Sequence, residues 1–373
     1  MSDSDNATSQ RITCLTPLAA VLALIESRVG AVKPQKSAVA AARGFTLAED
    51  VVASARPLRP IALRDGFPVD AAAVADAGPY APVPLPPTAR RIDVGEPLPG
   101  DSNAVLPLDA VMVRGHRAEA VAAVAAGEGV LPAGGDAGPQ TPLRRAGECV
   151  RAIDVAVMAA AGITDVTIRA PRIDVVWGGD ARSPVINAAL ATLILVAGEA
   201  GAVVTGRSIT LEPALGDEET AVVIAVGGTG SGRRDAAVQT LARFGRVEAH
   251  GIAVSPGETA AFGFDDSRPV LLVPGRLDAA LAIWLLIGRH LTARLAGGSM
   301  VDASALLPLK RKITSTIGLT ELVPVSCAGG MAEPLASGYL SLAALAGSDG
   351  WIAVPADSEG FPAGTMIAVH PWP

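Results

Sequence analysis

Along residues 171–300, short apolar runs of strand length alternate with apolar positions at helical spacing. Ile173–Trp177 reads as a strand that ends in Gly178-Gly179-Asp180, and Pro184–Glu199 as an amphipathic helix. Ala202–Val204 opens a further strand, and Ala221–Val226 is another. Asp235–Phe244 is helical, Val270–Val273 is a strand, and Pro274-Gly275-Arg276 leads into a long helix over Leu277–Leu295. Strands alternating with helices predict a doubly wound, parallel α/β sheet, whose ligands sit at the carboxyl ends of its strands.

The flanking segments follow other patterns. Residues 1–12 are polar and read as a disordered tail. Thr16 is placed to cap a helix that has Pro17 in its first turn and Leu18, Val21, Leu22 and Ile25 on one face. A second helical piece is expected over Lys36–Ala42, and a third over residues 151–163. Residues 51–145 are dense in proline, with short runs such as Ala110–Val113 and Ala118–Val124 between glycine turns, which predicts a small β domain. Ile313–Thr316, Leu322–Val325, Trp351–Val354 and Met366–His370 predict a second small β domain at the carboxyl end. The fold class is α/β plus β in a multidomain chain.

Composition narrows the functional classes. Half of the 373 residues are hydrophobic, mostly Ala and Val, with 40 Gly, 29 Pro and 3% aromatics, which fits a loop-rich globular protein. A formal net charge of −7 argues against nucleic acid as the main partner. Cys14, Cys149 and Cys327 form no CxxC or zinc spacing and fit a reducing compartment. The amino terminus is unlike a signal peptide, and apolar stretches such as Val185–Val196 are too short to span a bilayer, so the expected setting is cytoplasmic.

The segment Val222–Asp235, VVIAVGGTGSGRRD, carries the clearest chemistry. A buried-type strand runs into four glycines, then a helix start. Such a loop turns backbone N–H groups toward an anion, and glycine permits close approach. The candidate binding residues are Gly227, Gly228, Thr229, Gly230, Ser231, Gly232 and Arg233, joined by Pro274, Gly275 and Arg276 from the neighbouring strand end. Arg233, Arg234 and Arg276 are candidate counter-charges. The loop matches neither GxxxxGK[ST] nor GxGxxG. Asp65, in Leu63-Arg64-Asp65-Gly66-Phe67, sits on a turn, where an aspartate ordinarily bonds its own backbone. His116, His250, His290 and His370 have no metal-ligand spacing, and no nucleophile elbow is present.

Several segments, taken in order, resemble the molybdopterin molybdenumtransferase family, the MoeA and gephyrin E-domain group. They are Thr46–Val52; Arg64–Phe67, similar to S-x-x-D-G-[YF]-A; Ile92–Pro99, similar to I-x-T-G-A-x-L-P; and Leu143–Val150, similar to R-R-x-G-E-D-[IV]. Next come Gly178–Ala181 at the T-G-D-E position, Gly227–Asp235 at G-G-x-S-x-G-x-x-D, Ser255–Gly257 at K-P-G-K-P, Pro274-Gly275 at P-G-N-P, and Ser337–Leu342. The resemblance implies a helical dimerisation region (13–50 and 146–170), an inserted β domain (51–145), a molybdopterin-binding α/β domain (171–300) and a carboxyl-terminal β domain (301–373). It implies insertion of molybdenum from molybdate into adenylated molybdopterin, release of AMP, and a divalent cation such as magnesium. The implied partners are a second copy and a molybdopterin adenylyltransferase or client molybdoenzyme. Asp65, Asp180 and Asp235 become the implied catalytic carboxylates, with Asp180 and Asp235 as cation ligands, Ser337 as a binding residue, and Asp65 reaching the site from the partner protomer.

The chain also departs from the family pattern. Ala181 replaces a glutamate, Val94 a threonine, Cys149 an aspartate, and Gly230 the loop serine, with Ser231 adjacent. Ser255 and Glu258 replace lysines, while Arg276 and Leu277 replace Asn and Pro. These changes leave a second reading, a non-catalytic carrier or maturation factor for a molybdoenzyme, and a third, a purely structural dimer.

Overall fold

The computed structural model of the chain describes residues 10–115, 117–179, 183–216, 219–300 and 303–373. It consists of two units. One holds the chain through Glu49, Ala146–Arg151 and Asp165–Pro373; the other holds Asp50–Arg145 and Ala152–Thr164.

The first unit is built on a six-stranded sheet. Its strands are β1 (Arg172–Trp177), β2 (Val203–Thr210), β3 (Val222–Val226), β4 (Arg246–His250), β5 (Ala261–Asp265) and β6 (Arg268–Val273), in the spatial order β2-β1-β3-β6-β5-β4. The first four of that order run parallel, as the sequence pattern predicts. β5 runs antiparallel to both of its neighbours, β6 and β4, a correction to the all-parallel expectation. The reason is local. Only Asp266 and Ser267 separate β5 from β6, and Asp266 takes a positive φ of 51°. A two-residue link makes a hairpin, whereas parallel strands need a crossover. Arg268 pins this edge through Asp265 at 2.5 Å, the Leu215 carbonyl at 2.6 Å and Thr220 at 3.0 Å.

Both faces of the sheet are covered, which is why every residue of β3 is buried. Val222, Ile224 and Val226 join Ala189 and Leu193 of α1 (Pro184–Glu199) in one core. Val223 and Ala225 point the other way, toward Leu211 of α2 (Leu211–Leu215) and Leu241 of α3 (Ala237–Phe244). The last helix, α4 (Leu277–Ala296), packs Ile283, Trp284, Ile287 and Leu291 into the first core. It is 20 residues long and, by length and composition alone, could cross a bilayer, contrary to the expectation that every apolar stretch is too short. Here it is a core helix. A π turn at Trp284–Gly288 interrupts it, and Gly288 leaves room for the Trp284 ring.

Two local expectations change. Where Lys36–Ala42 is expected to be helical, Gln35–Ala38 is a strand paired with Asp165–Arg169, followed by a 3₁₀ turn at Val39–Ala41. A ladder partner about 130 residues away overrides local propensity. Thr16 does not cap the first helix, Leu18–Arg28, whose cap position is Pro17. Instead, the Thr16 N–H donates to Gly251 O at 2.8 Å and its carbonyl accepts from the Ala253 N–H at 2.8 Å. The carboxyl-terminal sheet pairs Thr320–Ser326, Gly350–Val354, Met366–Pro371 and Ala305–Pro308 antiparallel. Val254–Ser255 joins its edge in parallel.

The second unit holds short antiparallel pairs, among them Gly66–Val69 with Ala104–Pro107 and Val111–Arg114 with Arg117–Ala120. Its core gathers Val69, Val74, Leu85, Leu106 and Ala120. The helix Ala152–Ala160 belongs to this unit, where Asp154 pairs with Arg144 at 2.9 Å.

Candidate functional site

Three strand ends meet because the parallel strands are in register. Trp177 of β1 lies opposite Val226 of β3, which lies opposite Val273 of β6. The chain leaves all three strands at the same level. Gly178 N–H donates to Val226 O at 2.9 Å, and Gly227 N–H donates to Val273 O at 2.8 Å. Glycine is required by distance at Gly178, where a Cβ would lie 1.9 Å from Gly227 O; at Gly275 a Cβ would meet Ile186 Cγ1 at 3.0 Å, a tight contact with a side chain. Gly227 and Gly228 also hold φ of 88° and 71°. Gly178, Gly227 and Gly275 therefore come together as the sequence pattern predicts. Asp180, Ala181, Arg182 and His116 lie outside the described residues.

Beyond Gly228 the loop is clamped from several sides. Thr229 is buried; its hydroxyl is 3.0 Å from that of Thr259, and its carbonyl is 3.1 Å from His250 Nε2. Asp235 closes the loop reciprocally: its Oδ2 accepts from the Gly232 N–H at 3.1 Å, and its own N–H donates to Gly232 O at 3.0 Å. Among the described residues, no acceptor meets the N–H groups of Gly230 and Ser231. Arg233 and Arg234 are exposed beside them.

One contact on this loop is invisible to any sequence pattern. Gln10, expected in a disordered tail, is only 6% exposed. Its Nε2 donates to Gly228 O and Gly230 O, each at 2.9 Å, and its Oε1 accepts from the Val238 N–H at 2.7 Å and the Gln239 N–H at 3.0 Å. Those two amides belong to the first turn of α3.

The second side of the site is built by two buried carboxylates. Asp278, 3% exposed, accepts from Arg276 through Oδ1 at 3.1 Å and Oδ2 at 2.5 Å, and from the Leu340 N–H at 3.2 Å. Glu321, 5% exposed, accepts from the Ser337 hydroxyl at 2.5 Å and the Gly338 N–H at 2.9 Å. The segment Ser337–Leu340 is thus fixed at both ends, and the Tyr339 ring lies 5.0 Å from the Arg276 guanidinium. The Asp278 carboxylate pushes the Arg276 pKa up, which keeps the side chain charged. Arg276 is therefore a charged side chain held in place by its pair with Asp278. Ser255 is buried next to Glu321 in the strand register, and Glu258 lies close enough to Arg276 to act on it electrostatically.

In the other unit, Asp65 does not bond its own turn. Its Oδ1 accepts from the Val94 N–H at 2.9 Å, and Arg91 lies 3.4 Å from Oδ2. Gly66 and Ile92 exchange backbone hydrogen bonds, so the segments Arg64–Phe67 and Ile92–Pro99 form one structure. Among the described residues, no cluster of three or more His, Cys, Asp or Glu could hold a metal ion. Asp278, Glu321, Tyr339 and Gln10 were not predicted as site residues. For Asp278 and Tyr339 the only advance signal is proximity to motifs, Asp278 following Arg276 by two residues and Tyr339 following Ser337 by two; Glu321 and Gln10 have none.

Comparisons with known proteins agree with this geometry. The family model for the MoeA N-terminal region (domain I and II) matches residues 16–162. The model described as "probable molybdopterin binding domain" matches residues 180–294, and that for the MoeA C-terminal region (domain IV) matches 307–372. Molybdopterin molybdenumtransferase 1 of Mycobacterium tuberculosis is 27% identical over 420 residues, covering 93% of this chain and 96% of that protein. The "Putative molybdopterin biosynthesis protein MJ0666" of Methanocaldococcus jannaschii is 29% identical over 153 residues, covering 41% of this chain and 36% of that protein. The crystal structure of a molybdopterin biosynthesis MoeA protein from Pyrococcus horikoshii OT3 superposes with a TM-score of 0.74 at 22% identity, covering 96% of this chain and 100% of that one. With three family models in order along the chain and a full-length likeness of fold, the chain belongs to the MoeA family.

Proposed function

We propose that the chain works in molybdenum cofactor biosynthesis as a molybdopterin molybdenumtransferase. It takes adenylated molybdopterin and molybdate, inserts molybdenum into the dithiolene, and releases AMP. One observation carries the reading: the glycine loop, Gly275-Arg276 and Ser337–Leu340 form a continuous edge at the carboxyl ends of parallel strands, where α/β sheets hold their ligands. The N–H groups of Gly230 and Ser231 suit a phosphate oxygen, with Arg233 and Arg234 beside them. The full-length likeness to the mycobacterial transferase supports the same chemistry.

The proposal includes a divalent cation, with magnesium the expected ion. Magnesium binds through one or two carboxylates plus substrate phosphates. Asp235 fits that role, since only its Oδ2 is used by Gly232, and Asp180 is the second candidate. The proposal further includes a cytoplasmic homodimer in which Asp65 completes the site of the partner protomer. Residues 13–50 with 146–170 serve dimerisation, 51–145 the inserted domain, 171–300 substrate binding, and 301–373 the closing β domain. A molybdopterin adenylyltransferase or a client molybdoenzyme is the expected docking partner.

The test is AMP release by purified protein given adenylated molybdopterin, molybdate and magnesium. AMP above the protein-free background supports the transferase. Binding of the pterin without AMP release would favour a carrier instead, a reading motivated by Ser255 and Glu258 standing where the family has lysines.

A further inference from the structure

The Gln10 carboxamide sits against the inner face of the glycine loop. A single side chain makes four hydrogen bonds to a loop and helix more than 200 residues away, two as donor to Gly228 O and Gly230 O and two as acceptor from Val238 and Gln239 of α3. This pattern has a chemical consequence. A phosphate offers only acceptors, so in this position it would leave the Gly230 carbonyl without a donor, while Gly228 O would keep the Ala237 N–H at 3.0 Å. The inner face of the loop is therefore built for a group that carries an acceptor and a donor side by side. A carboxamide is such a group, and so is the lactam edge of a pterin, where O4 accepts while N3–H and the 2-amino group donate.

We infer that the amino-terminal segment is an internal competitor for the pterin: Gln10 holds the lactam-reading face of the glycine loop closed, and ligand binding displaces it. The identification of the ligand rests on the proposed function; the displacement does not. The segment is suited to leave. Arg11 beside Gln10 is exposed, and among the described residues the first backbone hydrogen bonds of the segment are those of Thr16 to the Gly251–Ala253 turn. Ile12 and Leu15 also rest on Gly251, so release of Gln10 need not disturb the helix that follows.

The experiment titrates the full chain and its Gln10→Ala variant with 6-hydroxymethylpterin, followed by quenching of pterin fluorescence. Removing the competitor should tighten binding about tenfold, the worth of about one net hydrogen bond. In the wild-type chain, saturating pterin should also speed trypsin cleavage after Arg11. Equal affinities in the two chains, weaker binding in the variant, or no pterin binding by either would overturn the inference. A thermal melt of the variant separates lost folding from lost competition, and the trypsin arm uses the wild-type chain throughout. AMP release is scored separately. Turnover with no Gln10 effect sinks the competitor alone, whereas tighter pterin binding in Gln10→Ala without any AMP sinks the transferase reading alone.

Discussion

Asp278 grips Arg276 with both carboxylate oxygens, at 3.1 and 2.5 Å, while also accepting from the Leu340 N–H. The carboxylate is buried and the guanidinium is half-exposed, so one acidic residue joins the P-G-R loop to the carboxyl-terminal segment that carries Tyr339. Arginine suits this position because its planar fork can pair with a carboxylate on one edge and still present its remaining N–H groups to a ligand.

Asp278→Ala should therefore do two things. It leaves the Leu340 N–H without its acceptor and frees Arg276 to leave the site. The expected stability loss is roughly 2 kcal/mol, below that of a fully buried pair because water can still solvate Arg276. Thermal or urea unfolding measures it. In the AMP-release assay, KM should rise more than kcat falls, since Asp278 acts through Arg276 on binding.

Asp235 has a holding role and a charge, and two substitutions separate them. Asp235→Asn keeps an oxygen for the Gly232 N–H, so its melting temperature should stay close to wild type. Asp235→Ala loses that bond and should melt lower. If the charge serves the cation, both variants lose AMP release; retained turnover in Asp235→Asn would remove the charge from the chemistry.

Two glycines give opposite expectations. Gly178→Ala forces a Cβ to within 1.9 Å of the Gly227 carbonyl, so one strand end must shift and the glycine loop with it. A loss of about 1–3 kcal/mol is expected, with weaker pterin binding. Gly198 lies near the end of α1, where a Cβ meets nothing within 4 Å. Gly198→Ala should stabilise by about 0.5–1 kcal/mol and leave binding unchanged. Urea midpoints measured on both variants check the pair.

Glu333 gives a pH signature in the carboxyl-terminal region. Lys310, 2.6 Å away, holds its carboxyl below the ordinary glutamate range. A depressed folded pKa stabilises the fold at pH above the unfolded glutamate value, and that contribution fades as pH falls through the folded one. Lys310→Met should melt lower than wild type near neutral pH, and the two curves should converge in acid below the folded value. Melting curves across that range test the convergence.

Much of this site is legible in linear order because local chemistry demands it. A strand buried on both faces must be continuously apolar, as Val222–Val226 is, and a chain turning sharply at its end with positive φ needs Gly227 and Gly228. The alternation of strands and helices likewise yields α/β layers without further information. The hairpin edge escapes the same reading, since the reversed direction of β5 depends on the two-residue Asp266-Ser267 link to β6.

The sequence by itself determined which segments carry glycine turns, where buried strands lie, and the ordered motifs that mark a MoeA chain, because each depends on neighbours within a few residues. Only the tertiary structure decided which groups meet. It paired Arg276 with Asp278 and Leu340, turned Asp65 toward Val94, and brought Gln10 into the loop at Gly228 and Val238. A hydrogen bond between residues 228 positions apart has no periodicity to betray it, and a polar residue in an amino-terminal segment carries no local mark of burial. Such contacts are set by the packing of whole elements, which places donors and acceptors within reach only after the sheet has formed.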